Sequence, residues 1–231
     1  MPGNAIHLNV LTMVADMMTK ELGLKSGYWF LPPYFATYAL GLTKTNPKYV
    51  AVEFNNIFTG KINCLKRVFI PVCEYLEDGH DHWYLVVVDR LAGEFILLDP
   101  LPTEKQFKRK RNARELAIYL EKMLEDRYYY EFETTPNFTT EDFLFKKTEC
   151  LLKIDIESND SGLWVASWMI GCYDDDDFDI KVDDGSRMKI AVSLVLKNHN
   201  IINQTIKNKA IENLEQQDED HDFCCNYAYQ S

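Results

Sequence analysis

Long apolar runs are missing from this 231-residue sequence. No segment approaches the roughly 20 consecutive apolar residues that a membrane-spanning helix requires. The first residues, Met1-Pro2-Gly3-Asn4, show neither the basic start nor the apolar centre of a secretory signal. We therefore expect no membrane association and an intracellular location, in the nucleus or the cytoplasm.

Paired cysteines are also missing. Six cysteines are present, and none forms a Cys-x-x-Cys pair or lies at zinc-ligand spacing from a histidine. In a reducing compartment this pattern indicates free, mostly buried thiols. The sequence predicts no metal site and no cofactor.

Basic charge is scarce, since the formal net charge is -11. General nucleic-acid binding needs a basic face, so we expect no nucleic-acid partner. The acidic balance suits a protein partner that carries basic patches.

Enough apolar residues are present, 46% of the chain, to fill the core of one domain. We expect this domain over residues 1–200 and an acidic, flexible tail over residues 201–231. Helical spacing predicts an N-terminal helix to Leu22 and a helix opened by Pro32-Pro33. Further predicted elements are the strands Arg67–Cys73, His82–Asp89, Glu94–Asp99 and Cys150–Ile156, the buried helix Ser161–Cys172, and a last helix capped by Ser186. This order indicates an α+β fold with one mixed or antiparallel central sheet flanked by helices.

The hairpin holds the first candidate site. His82 begins one strand and Asp99 ends the next, so antiparallel pairing places them at the same end of the sheet. A carboxylate beside an imidazole is the base-orienting pair of a nucleophilic hydrolase. Taken alone, a strand-end histidine that meets a turn aspartate by accident is the better interpretation.

A second candidate precedes the buried helix, in Asp160-Ser161-Gly162. A nucleophile at a helix N-terminus is activated by the helix dipole, and the glycine lets backbone approach closely. An ordinary Asp/Ser cap on a core helix is the alternative.

The ordered set His82-Trp83, then Leu98-Asp99-Pro100, then Asp160-Ser161-Gly162 resembles the ubiquitin-like-protein-specific proteases, which include the SUMO (sentrin) proteases. That family has the pattern His-Trp-x-Leu, a strand ending in Asp, and Gln-x-Asn-x-x-Asp-Cys-Gly. Two further stretches, Trp29-Phe30-Leu31-Pro32 and Arg187–Ala191, are similar to its plant branch, which includes copies carried by transposable elements.

The resemblance implies a papain-like cysteine protease fold and hydrolysis after the Gly-Gly tail of SUMO or a related modifier, without a cofactor. In that scheme His82 is the general base, Asp99 orients it, and the residue at position 161 attacks. Trp83 flanks the channel for the tail and faces out towards it.

Three departures from the family pattern bear on activity. The nucleophilic cysteine is replaced by Ser161, a far poorer nucleophile than a thiol without a matched base. The position of the glutamine that donates to the oxyanion is Asp155, and no glutamine occurs between Gln106 and Gln204; a short deletion just before Glu157 is the alternative explanation for its absence. The first tryptophan is Trp29, which leaves half of the roof over the tail without its usual residue.

Three interpretations remain open from the sequence. The chain is a protease whose natural residue 161 is cysteine, a pseudoprotease that still binds a modifier, or a decayed copy from a mobile element. Elsewhere, the basic run Lys105–Arg111 is better interpreted as a solvated helix face than as a nuclear-import patch, and the acidic loop 174–184 does not match a calcium-binding loop.

Overall fold

The computed structural model describes residues 5–23, 26–41, 44–58, 62–76, 79–101, 106–125, 138–146, 159–175, 177–197, 200, 204–205 and 207–209. Within these residues the chain forms six α-helices and five strands. The helices are α1 (Leu8–Leu22), α2 (Pro33–Leu40), α3 (Pro47–Phe58), α4 (Gln106–Leu124), α5 (Ser161–Gly171) and α6 (Asp184–Leu196). The strands are β1 (Tyr28–Phe30), β2 (Arg67–Tyr75), β3 (Asp81–Asp89), β4 (Glu94–Leu98) and β5 (Leu144–Phe145).

The strands form one sheet in the order β1-β2-β3-β4-β5. Its centre is antiparallel, with β3 paired to β2 and to β4, whereas the short edge strands β1 and β5 pair in parallel. The β3–β4 turn ends at Gly93, whose φ of +66° lies in the left-handed region that glycine adopts without strain. The predicted α+β fold with a mixed sheet is confirmed.

Helices cover both faces of this sheet, and the side chains of β3 are therefore buried on both sides. Tyr84, Val86 and Val88 belong to an apolar cluster with α2, α3 and α4. The alternate residues of the strand belong to a second cluster with α1, α5 and α6. The helix α5 is apolar on all sides and packs against α1 and β3, which brings its N-terminus to the end of the sheet where β3 begins.

The start of α6 differs from the sequence prediction. Asp183, not Ser186, is the N-cap; its side chain accepts a hydrogen bond from the backbone three residues on, and Ser186 accepts one from the Asp183 amide. Ser186 therefore serves as the reciprocal partner in a capping box.

Two predicted segments fall outside the described residues. They are the strand Cys150–Ile156 and most of the tail 201–231. No described helix is both long enough and apolar enough to span a membrane.

Candidate functional site

His82 and Asp99 lie side by side at one end of the sheet. The last strand pair joins Leu98 to Leu85, so β4 ends while β3 continues beyond it towards its own start. Asp99 follows β4 directly, and its Oδ1 lies 2.9 Å from Nε2 of His82. The two side chains are buried, with 2% of His82 and 7% of Asp99 exposed. The arrangement can orient an imidazole and stabilise its charged form.

Both carboxylate oxygens of Asp99 are held. Oδ1 also accepts a hydrogen bond from the Leu101 amide at 3.0 Å, and Oδ2 is bound by the guanidinium of Arg109. Arg109 was not among the residues expected from the sequence, where it belonged to a solvated basic run. Its helical spacing to Ala113 and Leu116, both on the buried face of α4, is the signal that locates it.

The rest of that basic run is distributed among separate partners. Lys108 pairs with Glu74 at 2.5 Å, Lys110 lies over the ring of Phe145, and Arg111 lies 3.8 Å from Glu115. Hence the run does not form one uniform basic patch.

Ser161 is the first residue of α5 and only 1% of it is exposed. Its Oγ accepts a hydrogen bond from the backbone amide of Trp83 at 3.1 Å. Among the described residues no hydrogen bond joins Ser161 to the His82 ring. The structure thus brings Ser161 to the strand that carries His82, but its hydrogen bond is with the next residue of that strand, Trp83.

Gly162 allows α5 to approach Ile6 and Trp83 closely at this point. A β-carbon placed on Gly162 would lie 3.0 Å from Cβ of Ile6 and 3.3 Å from Cδ1 of Trp83. Two side chains therefore occupy the space next to the glycine, one from the N-terminal segment and one from β3. Ile6 was not expected from the sequence, because nothing local marks it.

Trp83 does not face outwards as predicted. Only 2% of it is exposed, and it packs in the apolar cluster with α1 and α5. Successive residues of a strand point to opposite faces, and here both faces are covered, which is why the tryptophan is buried. It also lines a cleft of about 650 Å³ together with Ile6, Cys73, Tyr75 and Asp81.

Cys73, beside this cleft, is no substitute nucleophile. Burial, together with the nearby charges of Asp81 and Glu74, raises the pKa of its thiol to about 12. A thiol whose pKa is raised in this way has little thiolate at neutral pH and is a poor nucleophile. Asp155, the position expected near the oxyanion, lies outside the described residues.

No metal centre is present among the residues described, since they include no group of three or more His, Cys, Asp or Glu side chains that could hold an ion. The polar groups at the site are one imidazole, carboxylates, a guanidinium, a hydroxyl and amides. Such a set can accept, donate and move a proton.

Comparison with solved structures identifies the fold. The structure matches the SUMO protease Ulp1 with its catalytic cysteine oxidised to a sulfenic acid, with a TM-score of 0.61 and 17% identity over 84% of this chain and 78% of that chain. It also matches the C-terminal Ulp1 protease domain in complex with Smt3, the yeast ortholog of SUMO, with a TM-score of 0.57 and 18% identity over 84% and 77% of the two chains. The chain has the Ulp1 protease fold. No protein-family model matches the sequence, and neither does any curated protein.

Proposed function

We propose that this protein acts inside the cell on SUMO or another ubiquitin-like modifier and its conjugates, as a relative of the cysteine proteases that cut after a Gly-Gly tail. The observation that carries the proposal is the buried His82–Asp99 pair, 2.9 Å apart and next to Trp83, whose amide binds the first residue of α5, in a chain with the Ulp1 fold. The plant, transposon-associated branch is the source that the sequence resemblance favours.

With serine at position 161 we propose that cleavage is slow or absent. The hydroxyl accepts its hydrogen bond from the Trp83 amide and, within the described part of the chain, has none with the His82 ring, so no base is placed to take its proton. Asp155 adds to this deficit if it takes the place of the oxyanion donor, because a carboxylate repels a developing negative charge. Loss of one such donor costs on the order of 10²–10³ in rate.

The Ser161 geometry also favours a second function, a binding module that holds a modifier without cutting it. The two proposals differ in one property. A protease regains turnover when the thiol is restored, whereas a binding module retains affinity and gains little.

The experiment compares the native chain with Ser161→Cys and with Ser161→Cys combined with Asp155→Gln. Covalent labelling by a SUMO protein with a C-terminal electrophile needs only an attacking thiolate, and a fluorogenic SUMO substrate measures turnover. We expect neither labelling nor turnover with serine, slow labelling by the single variant, and faster turnover by the double variant.

Calorimetric titration of the same proteins with SUMO and ubiquitin measures binding alone. Binding without turnover in any variant supports the module, and no binding by any variant refutes both proposals. Labelling by the single variant at the rate of a competent enzyme would instead show that Asp155 is not near the oxyanion.

A further inference from the structure

The guanidinium of Arg109 lies wholly inside the protein, with 0% of the residue exposed. Its Nη1 donates to Oδ2 of Asp99 and, at 3.0 Å, to the carbonyl of Leu101, while its Nε donates to Glu74 at 3.1 Å. The same group lies 5.4 Å from the ring centre of Tyr84. These partners replace much of the hydration of the buried cation, whereas its Nη2 has no hydrogen-bond partner among the described residues.

The contact between Arg109 and Asp99 bears on how the Asp99 carboxylate meets the ring of His82. Arg109 binds Oδ2 of Asp99, and the oxygen that faces Nε2 of His82 is Oδ1. A carboxylate only accepts hydrogen bonds, so Nε2 carries the proton and donates it to Asp99. The other ring nitrogen, Nδ1, then keeps a free electron pair and can accept a proton.

Neutralising a pair of buried acids is the simpler role for Arg109, but Glu74 has a cation of its own. Lys108 reaches the other oxygen of Glu74 at 2.5 Å from the surface. Burial raises the pKa of Glu74, but hydrogen bonds from Lys108 and Arg109 outweigh it and the net pKa is lowered. Among the described residues, Arg109 is the only arginine or lysine paired with Asp99.

We propose that Arg109 is a positioning residue for the His82–Asp99 pair. Through one N–H of its planar guanidinium it clamps Oδ2 of Asp99 and so favours the orientation that holds His82 with the proton on Nε2 and Nδ1 free. The catalytic use of that tautomer rests on the function proposed above, whereas the tautomer follows from the contacts of Asp99 and does not depend on that function.

Long-range proton–nitrogen NMR of the ¹⁵N-labelled protein tests the proposal, because it shows which ring nitrogen of His82 carries the proton. The signals of His82 are identified among those of the five histidines as the ones missing from His82→Asn. Spectra are compared for the native chain, Arg109→Met, Arg109→Lys and the matched control Lys108→Met, which removes a cation from Glu74 but none from Asp99.

We expect a single Nε2-protonated form in the native chain and in Lys108→Met. In Arg109→Met we expect loss of that single form, with both tautomers present. Arg109→Lys keeps the charge but not the planar clamp, so we expect partial rescue, with the Nε2 proton exchanging with water faster than in the native chain. Should Arg109→Met fail to fold, Arg109→Lys alone decides the question.

A native-like tautomer and native-like proton exchange in every folded variant overturn the proposal. Labelling of Ser161→Cys by the SUMO electrophile is measured separately. If that labelling fails while the tautomer responds to Arg109, the proposed function fails and the positioning role stands. If labelling succeeds while the tautomer is unchanged in the Arg109 variants, the positioning role fails and the proposed function stands.

Discussion

Ile6 lies directly against Gly162, so close that a β-carbon on the glycine would be 3.0 Å from Cβ of Ile6. Ser161 beside it is 1% exposed and His82 is 2% exposed. Both residues are therefore buried in this structure, and Ile6 is one of the side chains packed against the N-terminus of α5.

Ile6→Gly should therefore open the site. In a Ser161→Cys background we expect the introduced thiol to react faster with a small alkylating reagent and with the SUMO electrophile. The matched control is Met13→Ala, which shortens a half-exposed apolar side chain on α1. The reaction rate of the native chain, which has Ser161, is subtracted from each rate to remove the contribution of the natural cysteines. Equal rates with and without Ile6 would show that access is limited elsewhere.

Trp83→Ala should destabilise the fold rather than merely weaken binding. The side chain is 2% exposed and packs between α1 and α5, so its removal leaves a cavity and should cost about 3–5 kcal/mol of unfolding free energy. Urea denaturation measures the change. Phe107→Ala removes an aromatic ring that is 89% exposed and should shift stability by no more than about 0.5 kcal/mol. A Trp83→Ala protein of native stability that no longer binds a modifier would restore the outward-facing interpretation.

Ser186→Ala should remove a pH-dependent contribution to stability. The hydrogen bond from Ser186, followed by the charge of Lys189, lowers the pKa of Asp183 below its ordinary 3.8. A lowered carboxyl pKa stabilises the folded state above pH 3.8, and this contribution is lost as the pH falls through the lower folded-state pKa. The melting temperature of Ser186→Ala should thus lie below that of the native chain at neutral pH. The difference should shrink in acid.

Thermal unfolding of both proteins between pH 3 and pH 7 tests this. Ser193→Ala makes the same chemical change on α6 but in its last turn, and should show no such pH dependence. A Ser186→Ala difference that is constant with pH contradicts the hydrogen bond from the Ser186 hydroxyl to the Asp183 carboxylate.

The sequence was sufficient for the parts of the fold that depend on neighbouring residues. The apolar run of β3 and the turn at Gly93 predict the hairpin, and antiparallel pairing then brings His82 close to Asp99. The helix α5 follows from its continuous apolar composition. These features depend on the local pattern of apolar residues and on the two-residue period of a strand, both of which can be identified from the sequence.

The remaining parts of the site depend on how distant elements pack. Ile6 meets Gly162 because α1 and α5 lie together, and no local pattern marks that contact. Trp83 is buried because helices cover both faces of β3, which strand alternation alone cannot show. Arg109 carries a charge, so it was grouped with surface residues although its helical position lies on the buried face.

The hydrogen bond between the Trp83 amide and Ser161 also has a consequence for the order of folding. It spans 78 residues, whereas His82 and Asp99 are 17 apart, so closing the longer loop costs about 1 kcal/mol more in chain entropy. The hairpin should form first and α5 should dock later. Pulsed hydrogen exchange during refolding can time both events, because the Leu101 amide is bound by Asp99 and the Trp83 amide by Ser161. Protection of the Leu101 amide should precede protection of the Trp83 amide, and the opposite order would mean that the helix docks before the hairpin is complete.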